Sequence, residues 1–210
     1  AGILREKGPV MQSARNRRAL LLVLLAALIL MTSGCGWVKG LFKKRDMTRS
    51  TPEALYAQGY EDYQEGRYEK AVEAFQRLKE VYPLSPLAIL SELGIADAHF
   101  SNKAYGEAEV AYTDFYNLHP TNEHVPYVLY QIGMCHHSQM PTIDRDQSDA
   151  LRAQKDFERL IARFPNSKFA FLAEKRLRET RQQVAEHEFY IGEFYFRAKK
   201  YRAALKRFEG

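Results

Sequence analysis

The sequence predicts an all-α fold, a superhelical solenoid of stacked helical hairpins set behind a short secretory leader. Three observations point there. An Ala-x-x-x-aromatic pattern occurs four times, and in three copies a proline follows the aromatic at one fixed distance. A cationic stretch running into thirteen apolar residues stands near the front of the chain. With 46% apolar and 27% charged residues over 210 positions, the chain has enough apolar surface for one core or one elongated array, which excludes a disordered protein.

In chain order, residues 1–10 precede Met11, lack a start and read as an extension upstream of the natural protein. Gln12 to Arg18 carries three arginines and no acid, and Ala19 to Met31 is unbroken apolar sequence. Together they form the n- and h-regions of a signal peptide over residues 11–34. Thirteen residues at about 1.5 Å of rise each fall short of the roughly 20 needed to cross a bilayer, so no permanent span is expected there. Thr32-Ser33-Gly34-Cys35-Gly36 then resembles the lipobox of bacterial lipoproteins, with Thr32 standing where that pattern usually has Leu. The resemblance implies cleavage between Gly34 and Cys35 and a lipid on Cys35, N-palmitoyl and S-diacylglycerol; no other cofactor is expected. The competing reading is an ordinary secretory signal in which Cys35 is incidental. Residues 35–50 form a tether in which Lys39, Lys43, Lys44 and Arg45 flank Trp37, Leu41 and Phe42. It is either a solvated spacer or a segment drawn to anionic headgroups at about 1 kcal/mol per base.

The leader also holds most of the excess charge. Without Arg5, Lys7, Arg15, Arg17, Arg18 and Glu6, the chain keeps 26 bases and 25 acids, too balanced for a nucleic-acid footprint. Only Cys35 and Cys135 occur, which excludes a disulfide framework, and Cys135 is expected to be buried and inert.

The repeats come next. Ala71 pairs with Phe75, Ala108 with Tyr112, Ala153 with Phe157 and Ala204 with Phe208; Pro83, Pro120 and Pro165 each follow the aromatic by eight residues. Twelve residues before the alanine stand Gly59, Ala96 and Gly192, and three before it Tyr68, Tyr105 and Tyr201. This is the pattern of the tetratricopeptide repeat, a pair of antiparallel helices. Gly59 and Ala71 are expected to supply the close helix contact, Phe75 and Tyr68 to fill the space toward the next repeat, and each proline to stop its helix. Ser50-Thr51-Pro52-Glu53 reads as a cap, a first-turn proline and a reciprocal Glu, and Ser85-Pro86 repeats the device.

On this register residues 51–83 form repeat one, 84–120 repeat two and 121–165 repeat three. Residues 166–210 form a long helix and an incomplete repeat four. The alanines step by 37, 45 and 51 residues where a plain array steps by about 34. The excess in repeat three is a loop insertion at residues 140–148, since Gly133 lies twenty residues before Ala153; the excess before repeat four is one helix from Ser167 to about Lys199. The sequence stops two residues after Phe208, and the natural protein is expected to continue with the rest of that helix and a further repeat or cap.

Lipobox, basic tether, the repeat pair at 37-residue spacing, the Asp144-Arg145-Asp146 loop and the long helix after Phe164-Pro165-Asn166-Ser167 together resemble the BamD family of outer-membrane protein assembly factors, over Met11 to Gly210. The resemblance implies a non-enzymatic, lipid-anchored scaffold on the periplasmic face of the outer membrane. It implies BamA, BamC, BamE and the other Bam subunits as partners, and unfolded outer-membrane β-barrel proteins as clients. A pilotin-type lipoprotein for pilus secretin assembly is the rival on the same fold, and an envelope hydrolase with accessory repeats the rival from another class.

Repeat solenoids present a concave face of first helices to peptides. Tyr56, Tyr60 and Tyr63 fall on the first helix of repeat one and are the groove candidates; the competing reading makes all three packing residues. Lys199, Lys200, Arg202, Lys206 and Arg207 crowd nine positions, and the resemblance makes Arg207, with Lys206 and Arg202, the candidate docking site for BamA; the alternative is a solvated basic face. No catalytic residue is expected. Cys135-His136-His137, with His99 or His119, invites a metal, but neighbours on a helix point about 100° apart and close poorly around one ion, so packing is preferred. Asp144-Arg145-Asp146 has no nucleophile or phosphate loop beside it and reads as a solvated or partner-facing loop.

Overall fold

The computed structural model describes residues 50–209, and those residues form eight helices joined by short turns, except for a nine-residue loop over 139–147. They are α1 Pro52–Gln64, α2 Tyr68–Val81, α3 Pro86–Ser101, α4 Tyr105–Leu118, α5 Val125–Ser138, α6 Ser148–Arg163, α7 Lys168–Arg197 and α8 Tyr201–Phe208. The leader, Cys35 and the tether as far as residue 49 lie outside the described residues. Each helix packs on the next, with α1 also touching α3 and α5 touching α7. That nearest-neighbour stacking defines a helical-hairpin solenoid.

Two kinds of turn alternate. Within three of the hairpins, three residues connect the helices and the middle one is left-handed: Gly66 at φ 74°, Lys103 at 62° and Lys199 at 59°. Each turn is closed by the same two bonds. In the first, Gly66 N–H reaches Tyr63 C=O and Arg67 N–H reaches Asp62 C=O. Between hairpins, Tyr82, His119 and Phe164 sit at φ near −130° directly before their prolines. The proline ring excludes the helical conformation for the residue before it, and the helix ends.

Starts are set by side-chain oxygens. Thr51 accepts from Ala54 N–H with Pro52 in the first turn, Ser85 accepts from Leu87 N–H before Pro86, and Ser167 accepts from Ala170 N–H. The reciprocal Glu is a correction. With Thr51 as the cap, Glu53 is the second helical residue, one position short of where it could return a bond, and acts only as a first-turn acid favoured by the helix dipole.

A second correction concerns the close contact in repeat one. The atoms nearest to Gly59's missing side chain belong to Phe75, not to Ala71. A Cβ on Gly59 would come within 2.7 Å of the Phe75 ring, and one on Gly94 of α3 within 2.6 Å of its other edge. Phe75 is clamped between two helices because both lack a side chain there. Gly133 does the same for Phe157 and Gly192 for Phe208. Ala71 instead joins Phe75, Ile95 and Ala98 in the first core cluster, and the larger cluster runs through α3 to α7 around Tyr112, Phe115, Leu129 and Phe157.

Candidate functional site

One face of the solenoid is built from α1, α3 and α5, the first helices of three successive pairs. A cavity of about 240 Å³ opens there, and Tyr56, Tyr60 and Tyr63 all line it. Their spacing explains this, since residues three and four apart share a helix face. The three differ in role. Tyr56 leans on Phe75 with ring centroids 5.6 Å apart, and Tyr63 donates to or accepts from Ser101 Oγ at 2.9 Å, so both also pack. Tyr60 is 53% exposed and no hydrogen bond holds it among the described residues.

The sequence reading missed the other half of this cavity. Asp97 on α3 and Tyr127 on α5 line it, together with His124 just before α5. Asp97 Oδ1 accepts from Tyr112 Oη and from Tyr127 Oη, each at 2.5 Å, and Gln131 Nε2 donates to both phenol oxygens. This knot joins α3, α4 and α5. Burial raises the Asp97 carboxyl above its ordinary range, against the two phenol hydrogen bonds, which lower it. Burial and the nearby carboxylate push both phenols upward, so they remain donors at any physiological pH. The available signal was an acid in an apolar stretch: Asp97 stands within Leu93-Gly94-Ile95-Ala96-Asp97-Ala98, on a helix whose other acid is Glu92.

The basic cluster lies at the other end. Arg202 and Lys206 are exposed on α8, and no ion pair engages them among the described residues. Arg207 is different: its Nη1 bonds both carboxylate oxygens of Glu188 on α7, at 2.9 and 3.2 Å. It therefore ties α8 to α7 while remaining 45% exposed.

The histidines of α5 are divided among carboxylates. Buried His136 takes Asp156 Oδ2 at 2.8 Å through Nδ1; its Nε2 lies 3.2 Å from Glu109, off the line of a hydrogen bond. The Asp156 bond raises the His136 pKa. His137 faces Glu179 at 3.5 Å, and burial lowers its pKa. His119 is bonded to Glu92 on α3. Cys135 is fully buried, and burial pushes its thiol up to about 12.

In the loop before α6, Asp144 accepts from Thr142 and Asp146 from Ser148 N–H, so both acids serve local turns. The loop is pinned to α7 by Gln183 Nε2, which donates to Pro141 C=O and to Gln147 Oε1. Among the described residues no helix is long and apolar enough to cross a membrane.

The family model described as YfiO, outer membrane lipoprotein, matches residues 48–210. The chain is similar to the outer membrane protein assembly factor BamD of Rickettsia prowazekii, 29% identical over 186 residues that cover 89% of this chain and 74% of that one. The assembly factor BamD of Vibrio cholerae is 28% identical over 166 residues, 74% of this chain and 69% of that one. Among solved structures, PcrH from Pseudomonas aeruginosa superposes with a TM-score of 0.50 at 22% identity, over 64% of this chain and 98% of that one. This last likeness speaks for the fold alone.

Proposed function

Because the chain belongs to the YfiO family of outer-membrane lipoproteins, we propose that it is a non-enzymatic scaffold of outer-membrane β-barrel assembly that holds extended segments of unfolded barrel proteins against the face formed by α1, α3 and α5. The observation that carries this reading is the cavity crossing three helices, with Tyr60 exposed at its wall and the Asp97 carboxylate lining it. Extended peptides gain affinity from such a surface because aromatic walls bury area with little entropy lost, while one polar group fixes register. The relatives named as outer membrane protein assembly factors support the same role.

Lipid on Cys35 would anchor the scaffold to the periplasmic face of the outer membrane. A single acyl chain binds only marginally, so stable anchoring needs the several chains of a mature lipoprotein. Cys35→Ser is expected to release the chain from membranes in fractionation; continued tight association without partners would refute it. BamA, with BamC and BamE, would dock on other faces, and exposed Arg202 and Lys206 supply a basic surface for BamA. Arg207, committed to Glu188, would serve mainly to hold α8 in place for that surface.

A photo-reactive residue at position 60 tests the groove. It is expected to cross-link to unfolded barrel proteins, whereas the same residue at exposed Glu73 on α2 is not. Equal cross-linking at both positions would remove the support for a groove.

A further inference from the structure

The cavity on α1, α3 and α5 has an unusual balance of groups. Tyr56, Tyr60, Tyr63 and Tyr127 line it with Phe75, and Asp97 is the one carboxylate among its lining residues. No lysine or arginine lines it, and no ion pair engages Asp97 among the described residues. Both phenol donors converge on Oδ1, and no hydrogen bond within the described residues reaches Oδ2. The ionised carboxylate would have its Oδ1 held by Tyr112 and Tyr127, with no lysine or arginine beside it to neutralise it.

We infer that this cavity is a specificity pocket for a basic side chain, arginine above all, of the extended segment the groove receives. The inference rests on the groove reading above and adds its chemical selectivity. Aromatic faces attract cations through the ring quadrupole, and the attraction grows when the pair is desolvated. A phenol that donates its proton to an anion has a more electron-rich ring, so Tyr127 is a better wall for being bonded to Asp97. Arginine suits the site because its planar guanidinium stacks on one ring while an edge N–H meets a carboxylate oxygen. The same residues disfavour an acidic side chain, which would meet Asp97 within the cavity. Besides Asp97 and the four tyrosines, His124 lines the cavity, and when protonated it competes for Asp97.

The test uses the full chain in non-ionic detergent and fluorescent peptides of alternating threonine and tyrosine, identical except for a central arginine or its neutral isostere citrulline. Fluorescence anisotropy is expected to show the arginine peptide bound about tenfold more tightly, as a desolvated cation–π contact allows. Asp97→Asn should abolish that preference, so that the variant binds the arginine and citrulline peptides with equal affinity. Should Asp97→Asn fail to fold by circular dichroism, Tyr60→Leu replaces it, since an exposed ring can be removed without opening the core; it should reduce the preference about threefold. Equal affinity of the two peptides for the parent chain overturns the basic-side-chain pocket and leaves the groove intact. Binding of neither peptide overturns both.

Discussion

Gly94→Ala should destabilise the protein although it replaces a mid-helix glycine by the best helix former. On an open helix the change would gain about 0.5–1 kcal/mol. Here the new methyl would come within 2.6 Å of Phe75 Cε2, and the ring cannot retreat because Gly59 already approaches its opposite edge, where a Cβ would sit at 2.7 Å. Phe75 is 2% exposed, so no outward route exists either. Overpacking of this kind costs about 1–3 kcal/mol, so the net loss is at most about 2.5 kcal/mol and about 1 kcal/mol at mid-range. For a domain of this size the mid-range loss lowers Tm by about 2–4 °C in a thermal circular-dichroism melt. Gly106→Ala near the start of α4 is the control, because a Cβ there would meet nothing within 4 Å; it should hold or raise Tm. The decisive measurement is the double cycle with Phe75→Leu. Once the ring is gone, Gly94→Ala should become neutral or stabilising, a coupling of about 1–3 kcal/mol. Effects that add within about 0.5 kcal/mol would refute the clamp.

Three further outcomes follow from the same geometry. Lys103→Gly should stabilise by about 1 kcal/mol, since a left-handed lysine carries about that cost, whereas Gly66→Ala should destabilise through its backbone alone; chemical denaturation of both variants checks the pair. The raised His136 pKa means the folded state binds its proton more tightly than the unfolded one. Its stabilisation is therefore complete below the unfolded value of about 6.5 and is lost as pH rises through the higher folded pKa. The stability difference between the parent and His136→Gln should accordingly shrink from pH 6 to pH 9, and a constant difference would dismiss the Asp156 bond as its cause. Cys135, fully buried with its thiol pushed up to about 12, should resist iodoacetamide at pH 8 until denaturant is added, and labelling at the native baseline would place it outside the core.

Much of the fold is legible in the sequence because the repeat is enforced by local chemistry. Beyond a helix's first turn proline ends it whatever it packs against, so Pro83, Pro120 and Pro165 mark three helix ends without reference to anything distant. The capping residues Thr51, Ser85 and Ser167 act within three positions of themselves. The run from Ser167 without glycine or proline before Gly192 requires one long helix, and α7 is 30 residues long. The tyrosines of the groove are legible for the same reason, since their spacing alone puts them on one side of α1.

Tertiary structure decided what depends on two helices at once. Which glycine faces Phe75 cannot be read from repeat one, because Gly94 belongs to the next hairpin and stands two residues off the small-residue register at Ala96. Asp97 becomes a pocket residue only when Tyr112 and Tyr127, 15 and 30 positions away, converge on one of its oxygens. Arg207, one of a run of similar bases in the sequence, is separated from Lys206 by the placement of Glu188 nineteen residues earlier on α7. Helix starts, stops and faces are short-range and set by steric and hydrogen-bonding rules that each segment obeys alone. Partners, clamps and buried charges are set by how hairpins stack, and that stacking is a property of the whole array.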